Sequence, residues 1–166
     1  MDVDGVVNAW YADRAWGLGM ESDDVCAYVL AWSSKMVRRL GSLLESGELE
    51  LVWLSGWGKD SLFVAEAVGW GFKGRVLGPL GGELTFPSAY WKAEALWEDL
   101  AGYEGYWAWF DSGLSEISML SEYAEIFDAD RGYVPAINGD VGITPEMLIS
   151  LELKMDLEAE SGSGGA

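Results

Sequence analysis

Apolar and polar positions alternate along this chain in two distinct ways. Short apolar runs predict strands, whereas apolar residues that recur every three or four positions predict helices. Strands are predicted over residues 2–7, 49–54, 74–77, 106–110 and 133–137, and helices over 33–47, 61–68, 91–100, 115–127 and from Thr144 onward. This succession of strands and helices predicts a three-layer α/β domain, in which a parallel sheet of about five strands carries helices on both faces.

Two further segments complete the predicted architecture. The stretch from Trp16 to Trp32 predicts a small β-hairpin that turns near 19–23, because an acidic and glycine-rich run precedes an apolar one. The last residues, EAESGSGGA, contain too little apolar surface to form a packed structure. We therefore expect a single domain over residues 1–157 and a flexible tail over residues 158–166.

Composition narrows the classes of function. The formal net charge is −18, from 28 acidic and ten basic residues, so we expect neither nucleic acid nor an anionic membrane as a partner. The absence of histidine excludes mechanisms that depend on an imidazole. The single cysteine, Cys26, excludes an internal disulfide and fits a reducing cytoplasm; its apolar neighbours predict that it is buried and inert.

Polar residues follow several of the predicted strands, where ligands bind in open α/β sheets. Asp2 and Asp4 lie in the first predicted strand, Ser55 follows the second and Asp111 follows the fourth. Lys92 lies near the start of the helix that precedes the fourth strand. Paired carboxylates, a hydroxyl, an ammonium group and a further acid are the groups that phosphoryl transfer through an aspartyl-phosphate requires.

This ordered set resembles the haloacid dehalogenase superfamily, and in particular its small uncapped members of actinobacterial and phage type. The segment DVDGVVN at residues 2–8 matches the superfamily motif DxDGxxN. LVWLSGW ends a strand at Ser55, AYWKAEA supplies Lys92, and WAWFDSG matches the fourth motif in part at Asp111. The resemblance implies a Rossmann-like sheet and a magnesium-dependent phosphatase, with the hairpin as a flap beside the site.

The resemblance also implies a role for each residue. Asp2 would be the nucleophile, and Asp4 the general acid and base. Ser55, Gly56 and Lys92 would bind the phosphoryl group, with Arg14 as a further contact to a substrate anion. The implied Mg²⁺ ligands are Asp2, Asp4 through its backbone carbonyl, Asp111 and, through a water, Glu116.

Two departures from the motif support a competing hypothesis. Only Met1 precedes Asp2, so the first strand lacks most of its length, and we expect either truncation relative to the family or an unusual start. Ser112 stands where the motif has a second acid. The alternative function is therefore a catalytically degenerate scaffold that serves as a binding or assembly module.

Asp4 and Ser55 are close together in the sequence, and the segment between them is too short to contain a large cap domain. An open site of this kind suits a small or extended phosphorylated substrate, and a second copy of the chain would be able to supply a lid. The many tryptophans raise a third hypothesis, a carbohydrate binder, but those at 53, 57, 91, 107 and 109 are predicted to pack in the core.

Overall fold

The computed structural model describes residues 1–47, 49–79, 88–114 and 130–162. The helices are α1 (Asp13–Trp16), α2 (Ser34–Glu45), a 3₁₀ helix (Gly58–Asp60), α3 (Ser61–Ala67), α4 (Ser88–Asp99) and α5 (Pro145–Gly162). The strands are β1 (Met20–Val25), β2 (Tyr28–Ser33), β3 (Val52–Trp53), β4 (Arg75–Val76), β5 (Trp107–Ala108) and β6 (Gly132–Tyr133). Glu116 and the predicted helix over 115–127 lie outside the described residues, as do residues 80–87.

The prediction of one five-stranded parallel sheet is wrong. The described strands form three sheets of two strands each: an antiparallel hairpin, β1 with β2, and two parallel pairs, β3 with β4 and β5 with β6. The parallel pairs are only two residues long in each strand, although the apolar runs that predicted them are longer. The described residues therefore do not form the Rossmann-like sheet that the family resemblance implied.

The N-terminal residues lie between the two parallel pairs. Met1 exchanges backbone hydrogen bonds with the β3 segment, donating to the carbonyl of Val52 and accepting from the amide of Leu54, and Asp2 donates to the carbonyl of Phe110. Immediately afterwards the chain turns, because the amides of Val6, Val7 and Asn8 all donate to the carbonyl of Val3. The strand predicted over residues 2–7 is thus a tight turn, and only two residues lie between the pairs.

The hairpin exists, but its turn is not where the sequence predicts it. The strands pair from Met20 with Ser33 to Val25 with Tyr28, so the loop consists of Cys26 and Ala27 rather than residues 19–23. Both loop residues have positive φ angles, 52° and 68°. Cys26 is exposed at this loop, which corrects the prediction that it is buried.

Helix α2 follows directly from its sequence. The Ser33 hydroxyl accepts a hydrogen bond from the amide of Met36 and caps the helix, as predicted. Met36, Val37 and Leu40 recur at helical spacing and are all buried. The helix therefore packs one face onto the main apolar cluster, which also contains Val3, Val6 and Trp53.

A second, smaller apolar cluster surrounds α4 and the end of β5. It contains Leu54, Trp91, Ala93, Trp109 and Leu114. Trp53, Trp91 and Trp109 are fully buried, as the prediction of core packing requires. Because Trp91 and Ala93 are buried on either side of Lys92, this packing also carries the lysine into the interior.

The last helix crosses the boundary that the sequence predicts for the tail. α5 begins at Pro145, next to the predicted cap Thr144, and continues to Gly162, whereas the tail is predicted from residue 158. In the parts of the chain that the structure describes, no helix combines the length and apolar character that crossing a bilayer requires.

Candidate functional site

Lys92 lies between two buried carboxylates. Its ammonium nitrogen is 2.5 Å from Oδ2 of Asp2 and 2.7 Å from Oδ2 of Asp111. All three side chains are largely withdrawn from water, and Lys92 itself is 4% exposed. We call Asp2, Lys92 and Asp111 the buried triad. Three residues that are distant in sequence therefore meet at one point, as the sequence predicts for a site.

Three different elements bring the buried triad together. The Asp2 amide donates to the carbonyl of Phe110, so Asp2 lies beside the segment that leads from β5 to Asp111. The remaining carboxylate oxygens are held by nearby backbone: Oδ1 of Asp2 accepts from the amide of Val3, and Oδ1 of Asp111 from that of Gly113. Both carboxylates are therefore fixed from two sides, by a backbone N–H and by the lysine.

Burial sets the protonation behaviour of the triad. Burial raises the pKa of Asp2, and the carboxylate of Asp111 raises it further, while Lys92 and the hydroxyl of Ser55 oppose this shift. For Lys92, burial favours a lower pKa, but the two carboxylates outweigh it and raise the pKa above its usual value. The lysine thus stays protonated, and Asp2 holds its proton to a higher pH than an ordinary aspartate.

Ser55 and Gly56 follow β3 at the same end of the molecule. Ser55 is buried, and its hydroxyl accepts a hydrogen bond of 3.3 Å from the amide of Trp57. Its carbonyl accepts from the amide of Gly58, which closes the turn into the 3₁₀ helix. Gly56 is exposed at this turn and has open space around its Cα. The turn therefore places an accessible backbone segment beside the Ser55 hydroxyl.

Asp4 is exposed, and both of its carboxylate oxygens accept hydrogen bonds. Asn8 Nδ2 donates to Oδ1 at 2.8 Å, and Trp57 Nε1 donates to Oδ2 at 2.8 Å. No role is predicted for Asn8 from the sequence, although this residue belongs to the DVDGVVN segment. For Trp57 the sequence predicts only packing. No pattern in the sequence signals the contact of Trp57 with Asp4, because 53 positions separate the two residues.

Ser112 contacts the loop that carries Asp4. Its hydroxyl lies 3.4 Å from the backbone carbonyl of Asp4. A Cβ on Gly5 would come within 2.5 Å of this hydroxyl, and Gly5 has a positive φ of 69°. Only a residue without a side chain fits at position 5 without displacing Ser112.

The donor atoms of this region are those that Mg²⁺ prefers. Asp2 and Asp111 offer carboxylate oxygens and Asp4 a backbone carbonyl oxygen, while Lys92 carries one positive charge against the two carboxylates. No group of three acidic or cysteine side chains close enough to hold a metal is found among the residues that the structure describes. The chemistry of the donors thus fits Mg²⁺, while Glu116, the fourth implied ligand, lies outside the described residues.

Arg14 makes a different contact from the one implied for it. Its guanidinium lies 4.2 Å from the centre of the Tyr11 ring and is exposed. Within the described ranges, no hydrogen bond or ion pair joins Arg14 to the buried triad. The structure therefore does not bring Arg14 together with Asp2, Ser55 and Lys92.

One cavity among the described residues is separate from these polar residues. It has a volume of about 200 Å³ and is lined mainly by apolar side chains, among them Leu40, Leu51, Trp107 and Leu151. None of the triad, Asp4 or Ser55 lines it. This cavity is therefore not part of the polar site at the end of β3 and β5.

Comparisons with protein-family models, with curated proteins and with solved structures found no match to this chain. The assignment of a function therefore depends on the geometry of the site.

Proposed function

We propose that this protein is a phosphohydrolase that works through an aspartyl-phosphate on Asp2. The observation that carries the proposal is the buried triad, in which one ammonium group contacts the carboxylates of Asp2 and Asp111. A carboxylate acts as a nucleophile toward phosphorus when a neighbouring cation holds it ionised and offsets the charge of the phosphoryl group. Lys92 favours the ionised form of Asp2 against the effect of burial on its pKa, and its charge offsets that of the phosphoryl group.

Each step of the reaction uses a described residue. A carboxylate oxygen of Asp2 forms a bond to phosphorus as the bond to the leaving oxygen breaks, and Asp4 gives its proton to that oxygen. Asp4 then takes a proton from water, whose oxygen attacks phosphorus and releases inorganic phosphate and the free Asp2 carboxylate. The Ser55 hydroxyl donates to a phosphoryl oxygen, and Lys92 neutralises the charge that develops.

Mg²⁺ is part of this proposal. The carboxylates of Asp2 and Asp111 and the backbone carbonyl of Asp4 would hold it, with Glu116 as a further candidate ligand. When bound, the ion supplies positive charge that stabilises the phosphoryl oxygens. The chain's own residues provide the nucleophile, the proton and the contacts to the substrate.

The exposure of Asp4 and Gly56 favours a phosphorylated substrate that binds from solvent, either small or extended. The negative charge of the protein opposes nucleic acid. The single cysteine fits a cytoplasmic location, which is part of the same proposal. The proposal also includes a homo-oligomer, in which a second copy of the chain supplies a lid over the site.

Trapping of the phosphorylated protein tests the mechanism directly. The protein is mixed with a ³²P-labelled aryl phosphate and Mg²⁺ and quenched with acid, and the label on the protein is then tested for release by hydroxylamine, which cleaves acyl phosphates. We expect hydroxylamine-sensitive label and steady turnover in the parent and neither in Asp2→Asn. Glu50→Gln is the control, because it removes an exposed carboxylate remote from the triad.

One observation favours a second function, a non-catalytic binding or assembly module. Ser112, rather than an acid, lies against the Asp4 carbonyl, so the charge available to hold Mg²⁺ is reduced. This hypothesis predicts equal background hydrolysis in the parent and in Asp2→Asn, with and without Mg²⁺. Label that persists in Asp2→Asn would likewise contradict the aspartyl-phosphate mechanism.

A further inference from the structure

The position of Asp4 indicates where the leaving group of the substrate lies. This inference rests on the proposed function, in which Asp4 protonates the leaving oxygen. The group attached to that oxygen must then lie next to the Asp4 carboxylate, within hydrogen-bond distance of it. The side chains around Asp4 therefore decide which leaving groups bind well.

One aromatic side chain contacts Asp4, and a second packs against the first. The indole nitrogen of Trp57 donates to Oδ2 of Asp4 at 2.8 Å, and the ring of Tyr28 lies 5.1 Å from that of Trp57, tilted by 53°. Tyr28 is 64% exposed, and Trp57 is half-buried. The exposed Tyr28 ring, which packs against the tryptophan that contacts the proposed proton donor, offers an apolar surface to a ring in the leaving group.

The charge of the protein restricts the leaving group further. Lys92 already faces two carboxylates, and Arg14 stacks on Tyr11 instead of facing the triad. With a net charge of −18, the molecule repels substrates that carry further phosphates or carboxylates. We infer that Tyr28 and Trp57 form a leaving-group subsite, and that the substrate is a phosphate monoester of a flat, uncharged aromatic alcohol.

A pair of substrates with leaving groups of similar acidity tests this subsite. Phenyl phosphate and 2-naphthyl phosphate differ mainly in the area of the ring that stacks, so chemical reactivity does not obscure binding. In the parent we expect kcat/KM to be roughly 5-fold higher for the naphthyl ester, from the usual strength of aromatic stacking. In Tyr28→Ala we expect the two values to become equal.

Matched variants separate stacking from other effects. Tyr28→Leu keeps apolar bulk in the hairpin but lacks the ring, so it should lose most of the preference while folding normally. Tyr103→Ala removes another exposed tyrosine and should keep the preference unchanged. Trp57→Phe keeps a ring but removes the N–H that contacts Asp4, so kcat should fall while the naphthyl preference is retained.

The outcomes distinguish this inference from the proposed function. Turnover that depends on Asp2 but shows no naphthyl preference, or a preference that persists in both Tyr28 variants, overturns the subsite and leaves the phosphohydrolase intact. Absence of Asp2-dependent turnover contradicts the proposed function. In that case, calorimetric binding of 2-naphthyl phosphate to Asp2→Asn still decides the subsite: affinity that exceeds that of phenyl phosphate and requires Tyr28 supports it, and equal affinity overturns it.

Discussion

Two basic side chains among the described residues each lie between two acidic side chains. The two groups differ in how much of them is exposed to water. In the buried triad, the side chain of Lys92 is 5% exposed and contacts Asp2 and Asp111. At the surface, Arg75 is 42% exposed and contacts Glu50 at 2.8 Å and both carboxylate oxygens of Asp99 at 2.7 Å. We call Arg75, Glu50 and Asp99 the exposed triad.

The comparison shows that burial, rather than the number of charges, distinguishes a candidate site from a surface ion pair. Both triads carry one positive and two negative groups. Water screens the exposed triad, so each of its pairs contributes at most about 1 kcal/mol to stability. In the buried triad a lost partner leaves a charge without compensation, and the pKa of Asp2 is raised by that same withdrawal from water.

The largest expected effect comes from removing the central cation. Lys92→Met should lower the free energy of unfolding by about 3–5 kcal/mol, because two buried carboxylates lose their shared partner. Arg75→Met is the matched control and should cost no more than about 1 kcal/mol. Urea denaturation measures both. Equal losses in the two variants would contradict the difference between the triads.

Removing one acid from each triad should give a smaller difference in the same direction. Asp111→Asn weakens a buried hydrogen bond to a charged group and should cost about 2 kcal/mol. Asp99→Asn breaks a bidentate pair at the surface and should cost about 1 kcal/mol or less. Thermal unfolding monitored by circular dichroism measures the two changes. If Asp99→Asn proved the more destabilising variant, the conclusion that burial distinguishes the two triads would be contradicted.

The pH dependence of stability should identify Asp2. Its pKa is higher in the folded protein than the usual value of 3.8, so the folded state retains this proton to a higher pH than the unfolded chain does. The free energy of unfolding therefore decreases as the pH rises from 3.8 through the folded-state pKa, and Asp2→Asn removes this decrease. Denaturation of the parent and the variant from pH 3.5 to 7 measures the difference between their free energies of unfolding. As the pH rises, the stability of the variant should increase relative to that of the parent. A constant difference would contradict the raised pKa.

If the proposed function is correct, the same shift should appear in catalysis. Asp2 must be ionised to attack phosphorus, so the acidic limb of the kcat/KM profile should lie above pH 3.8. Initial rates with an aryl phosphate between pH 3.5 and 8 measure it. A limb at or below 3.8 would show that Asp2 is not the group whose ionisation controls the rate.

Salt should produce the smallest effect and separate the triads again. At 1 M salt the screening length is about 3 Å, so the cost of Arg75→Met should fall to a few tenths of a kcal/mol. The cost of Lys92→Met should stay nearly constant, because ions do not reach the buried carboxylates. Repeating the urea titrations at low and high salt gives both values.

The sequence predicted the meeting of Asp2, Lys92 and Asp111 better than it predicted the sheet around them. Each of these residues lies close to an apolar segment, and such segments pack together because their burial removes apolar area from water. The lengths and pairing of the strands depend instead on hydrogen bonds between distant backbones. Met1 and Asp2 form such hydrogen bonds with the segments at β3 and β5, the chain then turns at Val3, and the described strands remain separate pairs.

The hairpin illustrates a different limit. A two-residue loop with positive φ angles is normally signalled by glycine or asparagine, and here Cys26 and Ala27 occupy it. The sequence analysis accordingly placed the turn at the glycine and the acids that precede β2. Since tertiary packing overrode the local preference, no pattern over residues 16–32 indicated the true register. That Asp2, Lys92 and Asp111 act in catalysis stays a prediction.

The contact between Ser112 and the loop at Gly5 has a consequence for protein engineering. Residue 112 lies between two glycines, because a Cβ on Gly139 would also come within 3.3 Å of the Ser112 side chain. Three segments thus converge on a space the size of a hydroxymethyl group. Because a side chain at position 5 or 139 would meet Ser112, both glycines have to be kept in any variant that changes residue 112 to alter metal affinity.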